Sequence, residues 1–302
     1  MAYRFYTLDV FSDRPFGGNP LAVLPQATGL TTAQMQQITR EFNLSETVFV
    51  LPPETPQGAC RLRIFTPGQE VAFAGHPTVG TAFLLTSIGQ VPLTGSETTL
   101  ILEEGVGPVP VVVRAEGDRP VFSQLSAAQP PDFMAVDRDL GDLAAMVGLE
   151  PEDFLGGEWE PEGVSCGMAF CYLPLANRSA LVRAQLYRDR WQDLLGSSPF
   201  PHVYCFCFEP EDPSCSVRSR MFAPALGITE DPATGAAATA LAGYLARRQP
   251  HTSGTLRWGV EQGVEMGRPS FLAVEADQVA GQTTAIRVGG RSVLISEGTL
   301  YL

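Results

Sequence analysis

The sequence predicts an α+β protein of two pseudo-symmetric domains, each wrapping strands around one buried central helix. Three observations predict it. Short stretches recur in the same order in the two halves, most of the hydrophobic pattern has the period of strands, and two segments are apolar on nearly every side. The recurring stretches are Arg63-Ile64-Phe65-Thr66-Pro67 with Gly75-His76-Pro77-Thr78-Val79-Gly80-Thr81-Ala82, and Arg220-Met221-Phe222-Ala223-Pro224 with Glu230-Asp231-Pro232-Ala233-Thr234-Gly235-Ala236-Ala237. Positions 76 and 231, like 80 and 235, are 155 apart, whereas Arg63 and Arg220 are 157 apart and Glu103 and Glu261 are 158 apart. Read as an internal duplication, these offsets imply a two-residue indel and put His76 and Asp231 in equivalent places.

Taken in order, Tyr3 to Val10 alternates like a strand, and Gly17-Gly18-Asn19-Pro20 turns it into a second strand over Leu21 to Leu24. Thr31 or Thr32 caps a helix that carries Met35, Ile38 and Phe42 on one face and stops near Asn43. Strands follow at Glu46 to Val50 and Cys60 to Phe65. The first all-round apolar helix is expected over 77–88, with Pro77 at its first position, His76 as cap and Gly89 closing it. Its counterpart is expected over 232–248, capped by Asp231, with Arg247 and Arg248 at the negative end of its dipole. Strands include Val109 to Val113 after the first helix and Phe271 to Val274 after the second, and an amphipathic helix falls over 140–147. The turn-rich run at 116–120 marks the join, giving an N-terminal repeat domain over 1–118 and a C-terminal one over 119–302, with the last strand free to pack back on the first domain.

Composition removes several function classes. A net charge of −13 argues against nucleic acid and anionic membrane as partners, which need a basic face. All twenty cationic side chains are arginine, so neither a Schiff-base lysine nor a P-loop lysine is available. No Gly-x-Gly-x-x-Gly follows an early strand, which leaves no dinucleotide fingerprint. The six cysteines form no Cys-x-x-Cys pair; Cys205 and Cys207 share one face of a strand, and a buried strand explains them better than a metal site with His202. With no signal-like start and no apolar run of membrane length, a cytoplasmic protein with reduced thiols, no metal and no cofactor is expected.

The chemistry is expected at the starts of the two special helices. Each presents unpaired backbone N–H groups and a partial positive charge, suited to a carboxylate or to charge developing on a carbanion. Gly75, Gly80 and Gly235 are read as places where a ligand approaches the backbone. Proton transfer also needs a base, and Glu46, between the polar Asn43-Leu44-Ser45 turn and the apolar Val48-Phe49-Val50 run, is the candidate for general acid and base.

The runs Asp9-Val10-Phe11, Arg14-Pro15-Phe16-Gly17-Gly18-Asn19-Pro20-Leu21-Ala22-Val23, Arg40-Glu41-Phe42-Asn43-Leu44-Ser45-Glu46-Thr47-Val48-Phe49, Phe73-Ala74-Gly75-His76-Pro77-Thr78-Val79-Gly80 and Glu230-Asp231-Pro232-Ala233-Thr234-Gly235 resemble the PhzF family, named for a phenazine-biosynthesis isomerase. Glu261-Gln262-Gly263, Met266-Gly267-Arg268-Pro269-Ser270 and Val288-Gly289-Gly290 extend the resemblance over essentially the whole chain. It implies the diaminopimelate-epimerase-like fold, a site between the domains, a homodimer, and a cofactor-independent isomerase that moves a proton at carbon on a small carboxylate-bearing metabolite. The phenazine enzyme isomerises trans-2,3-dihydro-3-hydroxyanthranilate. By resemblance its shuttling glutamate matches Glu46, its supporting histidine and aspartate match His76 and Asp231, and its substrate contacts fall at Asn19, Gly75, Gly235 and Ala236. Ala236 is a departure: the family enzyme has serine there, and the lost hydroxyl removes a hydrogen bond of about 0.5–1.5 kcal/mol net. Related epimerases use two opposed cysteines, and no cysteine here lies in a helix-start motif. The alternatives are an epimerase or racemase of the same superfamily, and a non-catalytic binding protein.

Overall fold

The computed structural model describes residues 1–249 and 253–302. Its contacts divide the chain into two units, Met1–Ser126 with Gly289–Leu302, and Ala127–Val288. The division falls later than the expected join because residues 116–119 form the tight turn of a hairpin, with Glu116 opposite Arg119, rather than a linker.

The first unit holds β1 (Ala2–Val10), β2 (Asn19–Leu24), α1 (Thr32–Phe42), β3 (Glu46–Leu51), β4 (Cys60–Phe65), β5 (Glu70–Val71), α2 (Gly75–Ser87), β6 (Glu97–Glu104), β7 (Gly107–Glu116) and β8 (Arg119–Ser126). β1 and β2 form the expected antiparallel pair, with Val10 opposite Asn19. β2 and β3 run parallel, which sets Glu46 beside Leu21. β4 then pairs with β3 antiparallel and with β6 parallel, and β7 links β6 to β8. α2 packs against β1, β2, β3, β6, β7 and β8 in turn, so strands surround it. Val79, Ala82, Leu84 and Leu85 are fully buried, which explains why the helix shows no polar face. Burial of each leucine contributes about 1.5–3 kcal/mol, so tertiary packing rather than propensity holds this helix. α1 covers the outer face through Met35 and Ile38, against Phe49 and Phe65. Its ends are local chemistry: Thr31 and Gln34 form a capping box, and Asn43 stops it in the left-handed region.

The second unit contains β9 (Asp132–Ala135), α3 (Leu140–Met146), β10 (Glu162–Ser165), β11 (Ala169–Pro174), α4 (Arg178–Arg183), α5 (Arg188–Leu194), β12 (His202–Cys207), β13 (Val217–Ala223), β14 (Ile228–Asp231), α6 (Gly235–Arg247), β15 (Ser253–Gln262), β16 (Ser270–Val279) and most of β17 (Gln282–Gly290). β18 (Ser292–Tyr301) returns to the first unit, where it pairs with β1 antiparallel. α6 is the central helix here, packed on β10, β11, β15 and β16. All six residues of β12 are buried because both faces of the strand are covered. Tyr204 and Phe206 look toward the α6 side, with Phe206 edge-on to Tyr244, while Val203, Cys205 and Cys207 join a second core with Leu143, Leu181 and Trp191. The cysteines therefore serve as small core residues, as their alternation suggested, and each of the six is a free thiol.

Candidate functional site

In the first unit, three chain starts converge. Gly18 adopts φ +64°, and a Cβ there would stand 2.3 Å from the Val10 carbonyl oxygen, so the turn into β2 requires glycine. Asp9 ties down the preceding loop by accepting the Phe16 N–H at 2.7 Å. β2 opens with Asn19, which is fully buried, and Pro20. Asn43 ends α1 and delivers the chain to β3, which opens with Glu46. α2 opens with Gly75 and His76.

His76 is buried, and its Nε2 lies 3.5 Å from Oε2 of Glu46. Burial pushes the imidazole down to about 3, against a hydrogen bond to the backbone of Pro20 that works the other way. Proline has no N–H, so that partner is the Pro20 carbonyl and the imidazole donates to it. Nε2 makes no hydrogen bond of its own, which leaves Nδ1 as the donor. The ring is thus a neutral tautomer with its Nε2 lone pair turned to the Glu46 carboxyl. A carboxylic acid and an imidazole in that relation can pass one proton between them with a small movement.

The second unit builds its helix start differently. Asp231 is the last residue of β14, buried, and its Oδ2 accepts the Thr234 hydroxyl at 2.6 Å. Gln262 clamps the same segment: its Nε2 donates to the Asp231 carbonyl at 2.8 Å, and its Oε1 accepts the Thr234 N–H at 3.2 Å. Tyr204 reaches Gln262 Oε1 at 3.3 Å and Ser219 at 2.7 Å. Gly235 and Ala236 are the first two residues of α6.

This geometry corrects the expected equivalence of His76 and Asp231. α2 starts at Gly75 and α6 at Gly235, an offset of 160, and the ion pairs Arg63–Glu70 and Arg220–Glu230 keep the same spacing at their glutamates. His76 therefore corresponds to Ala236, and Asp231 to Val71. The longer loop of the second unit, with its turn at Pro224–Leu226, shifts the helix start; matching the prolines and glycines of the two motifs hid that shift. Neither residue is a cap. The caps are Ala74 and Thr234, and neither gives a side-chain hydrogen bond to its helix. Both helices start later or earlier than their prolines suggested: Pro77 is the third residue of α2, and Pro232 precedes α6. Gly80 also has a packing role, since a Cβ there would lie 2.5 Å from Val10 and 2.8 Å from Leu21.

Other repeated residues prove structural. Arg63 and Arg220 lie over Phe65 and Phe222 at 5.2 and 5.1 Å. Glu103 accepts the backbone N–H groups of Glu54 and Thr55, and Glu261 those of Glu211 and Asp212, fixing the same loop in each unit. Thr234, Gln262, Tyr204 and the Pro20 carbonyl escaped sequence reasoning as parts of the site. Pro20, Thr234 and Gln262 lie within the runs that resemble the family, and Gln262 also echoes Glu104, but the sequence assigns them no role. Among the described residues no group of three or more His, Cys, Asp or Glu is placed to hold a metal, and no helix is long and apolar enough to cross a membrane. His202 stands instead against the Phe170 ring at 5.6 Å, and burial pushes it down to about 4.

The family model described as phenazine biosynthesis-like protein matches residues 8–298. The chain belongs to the PhzF family. An uncharacterized isomerase of Mesorhizobium japonicum is 38% identical over 306 residues, covering 100% of both chains. A trans-2,3-dihydro-3-hydroxyanthranilate isomerase of Pseudomonas aeruginosa is 35% identical over 304 residues, covering 99% of this chain and all of that one. The crystal structure of a PhzF-family phenazine biosynthesis protein from Bacillus anthracis superposes with a TM-score of 0.91 at 26% identity, each chain covered completely. These full-length matches make the protein an isomerase of the PhzF family, with the mixed α/β fold of its solved members.

Proposed function

We propose that this PhzF-family isomerase moves a proton between carbons of a small unsaturated carboxylate, using Glu46 as the group that carries it. The observation that carries the reading is the pairing of half-buried Glu46 with a buried, neutral, tautomer-fixed His76 whose Nε2 is turned to the carboxyl at 3.5 Å. In the reaction, the Glu46 carboxylate removes a proton from one carbon. The electron pair shifts along the conjugated system, and the carboxylic acid so formed returns the proton to another carbon. A double bond moves and nothing is oxidised or reduced, so no external electron acceptor is required. Once Glu46 has taken up the proton, the Nε2 lone pair of His76 accepts its O–H, which orients the acid and gives the proton a relay.

Asp231, with Gly235 and Ala236, is assigned to the same substrate on the strength of family membership, and Asn19 and Gly75 are assigned to it in the first unit. The uncapped helix starts supply N–H groups for its carboxylate. Thiol-based racemisation has little support, since burial pushes Cys60 and Cys166 up to about 12 and leaves no ready thiolate. The absence of lysine likewise leaves Schiff-base chemistry without its amine.

The test is solvent exchange. Incubated in D2O with trans-2,3-dihydro-3-hydroxyanthranilate and a panel of small unsaturated and α-substituted carboxylates, the protein should place deuterium on carbon in at least one of them and shift its double bond. Exchange at a stereocentre without a double-bond shift would replace isomerisation with epimerisation. No exchange in any member, with binding intact, would favour a protein that only binds such acids.

A further inference from the structure

The last residues of β6 and β15 are Glu104 and Gln262, each following a glutamate that cradles the same loop. Gln262 is a permanent donor: its amide binds the segment before α6 through the Asp231 carbonyl and the Thr234 hydroxyl. Glu104 faces the start of α2, where its Oε1 lies 2.7 Å from the Thr78 hydroxyl. That hydroxyl is also 2.7 Å from the carbonyl oxygen of Ala74, the helix cap. A carbonyl can only accept, and a hydroxyl carries one proton. If Thr78 gives its proton to Ala74, the contact with Glu104 needs a second proton, and only the carboxyl can supply it. The other carboxyl oxygen, Oε2, is buried without a hydrogen-bond partner, which an ionised group tolerates poorly.

The surroundings offer no compensating cation. Cys60 on β4 faces the carboxyl as a neutral thiol. Arg61 and Arg63 line the same cavity but are engaged by Glu54 and Glu70. Glu103 and Glu70 add negative charge, and Glu103 is satisfied by its backbone cradle. α2 presents the uncharged Thr78. Burial pushes Glu104 up to about 8, with the Thr78 contact opposing it.

We propose that Glu104 is a positioning residue that works as an un-ionised acid, bridging to Thr78 to fix the first turn of α2 and with it His76, and that alkaline pH releases this latch. The latch itself stands on geometry, whereas its consequence for turnover rests on the function proposed above.

Glu104→Gln supplies the donor permanently, as Gln262 does in the other unit, and Glu104→Leu abolishes it. The folded protein holds the Glu104 proton up to about 8, and the unfolded chain loses it at the ordinary value of 4.5. Stability from this group is therefore complete below about 4.5 and declines as pH rises to 8. The buried histidines are common to parent and variant, so their titration cancels from the ratio of the two folding constants. Between pH 6.5 and 8 the folding constant of Glu104→Gln relative to the parent should rise by about tenfold per pH unit, measured by denaturant unfolding. Parallel curves would overturn the un-ionised acid. Should the variant fail to fold, the infrared carbonyl stretch of an un-ionised carboxylic acid in the parent protein at neutral pH, fading above pH 8, reads the same proton. Its absence overturns the proposal.

For positioning, solvent exchange on a confirmed substrate should show an alkaline loss near pH 8 in the parent that Glu104→Gln removes, while Glu104→Leu exchanges poorly at every pH. Equal behaviour of the glutamine and leucine variants would show that the bridge does not position His76. Absence of exchange in the parent with every acid would instead defeat the proposed function, and leave the stability measurement to decide the latch.

Discussion

The two units share a scaffold and differ where the chemistry sits. Both stack an arginine on a phenylalanine two residues later, pair it with a glutamate before the central helix, and cradle one loop on a strand-end glutamate. At the helix starts the likeness ends. The first unit has His76 inside the helix and Glu46 from a neighbouring strand; the second has Ala236 in the helix and Asp231 in the strand before it. The first is held by a titratable clamp, Glu104, and the second by the neutral Gln262. The repeated elements keep the residues that set packing and differ at the helix starts. Under the proposed function the difference amounts to a division of labour, with proton movement at the first helix start and fixed binding at the second.

The largest expected effect tests that division. Glu46→Gln keeps shape and an acceptor oxygen but cannot take up and return a proton, so turnover should fall by about 10²–10⁴ while a substrate acid still binds. Asp231→Asn keeps an acceptor for the Thr234 hydroxyl and should weaken binding and turnover together. His76→Ala should also damage both, because it removes the partner of Glu46 and part of the first turn of α2. Steady-state rates and calorimetric binding of a substrate or product acid separate these outcomes. If Asp231→Asn abolishes turnover with binding untouched, the aspartate moves protons too and the division fails.

A smaller effect distinguishes the units by pH. Each carries a buried histidine with a depressed value, His76 at about 3 and His202 at about 4. A base whose folded value is depressed gives stability that is present above its ordinary value of 6.5 and lost as pH falls toward the folded value. Acidification from 6.5 toward 4 should therefore weaken folding by up to about tenfold per pH unit for each histidine. His202→Gln should flatten this decline without changing proton exchange at pH 7, whereas His76→Gln should flatten it and impair exchange. A His202 variant that loses exchange would mean the second unit's core reports directly on the chemistry.

What the sequence made legible was local. Thr31 and Asn43 bound α1 through contacts within one turn. Both central helices were visible because their apolar residues leave no polar face, but their starts were misplaced. A proline predicts the first helical residue in each, whereas the chain turns helical at Gly75 and Gly235. α4 and α5 went unseen: they are short, and their burial depends on the outer face of β11 and β12. The pairing of Glu46 with His76 depends on the parallel register of β2 and β3 and on the Pro20 carbonyl, which no residue spacing reveals. The Glu104–Gln262 difference stood in plain view in the repeat, yet it acquires meaning only once Thr78 is seen between two acceptors.

The smallest expected effect concerns Ala236, the counterpart of His76 in the corrected register. It is half-buried in the first turn of α6, a place where serine is tolerated by the helix because nearby N–H groups lack internal partners. Ala236→Ser restores the hydroxyl found in the phenazine enzyme, and one hydrogen bond of about 0.5–1.5 kcal/mol corresponds to about two- to tenfold in kcat/KM. The gain should appear with trans-2,3-dihydro-3-hydroxyanthranilate, since that is the substrate of the enzyme that carries the serine, and should be weaker with acids lacking its polar substituents. It should also leave the Glu46→Gln defect unrescued, because a better-bound substrate still needs a group to carry its proton. A gain equal for every acid would mean the hydroxyl merely steadies the helix. No change for any acid would place the first turn of α6 out of reach of the substrate, and the binding role of the second helix start would then rest on Asp231 alone.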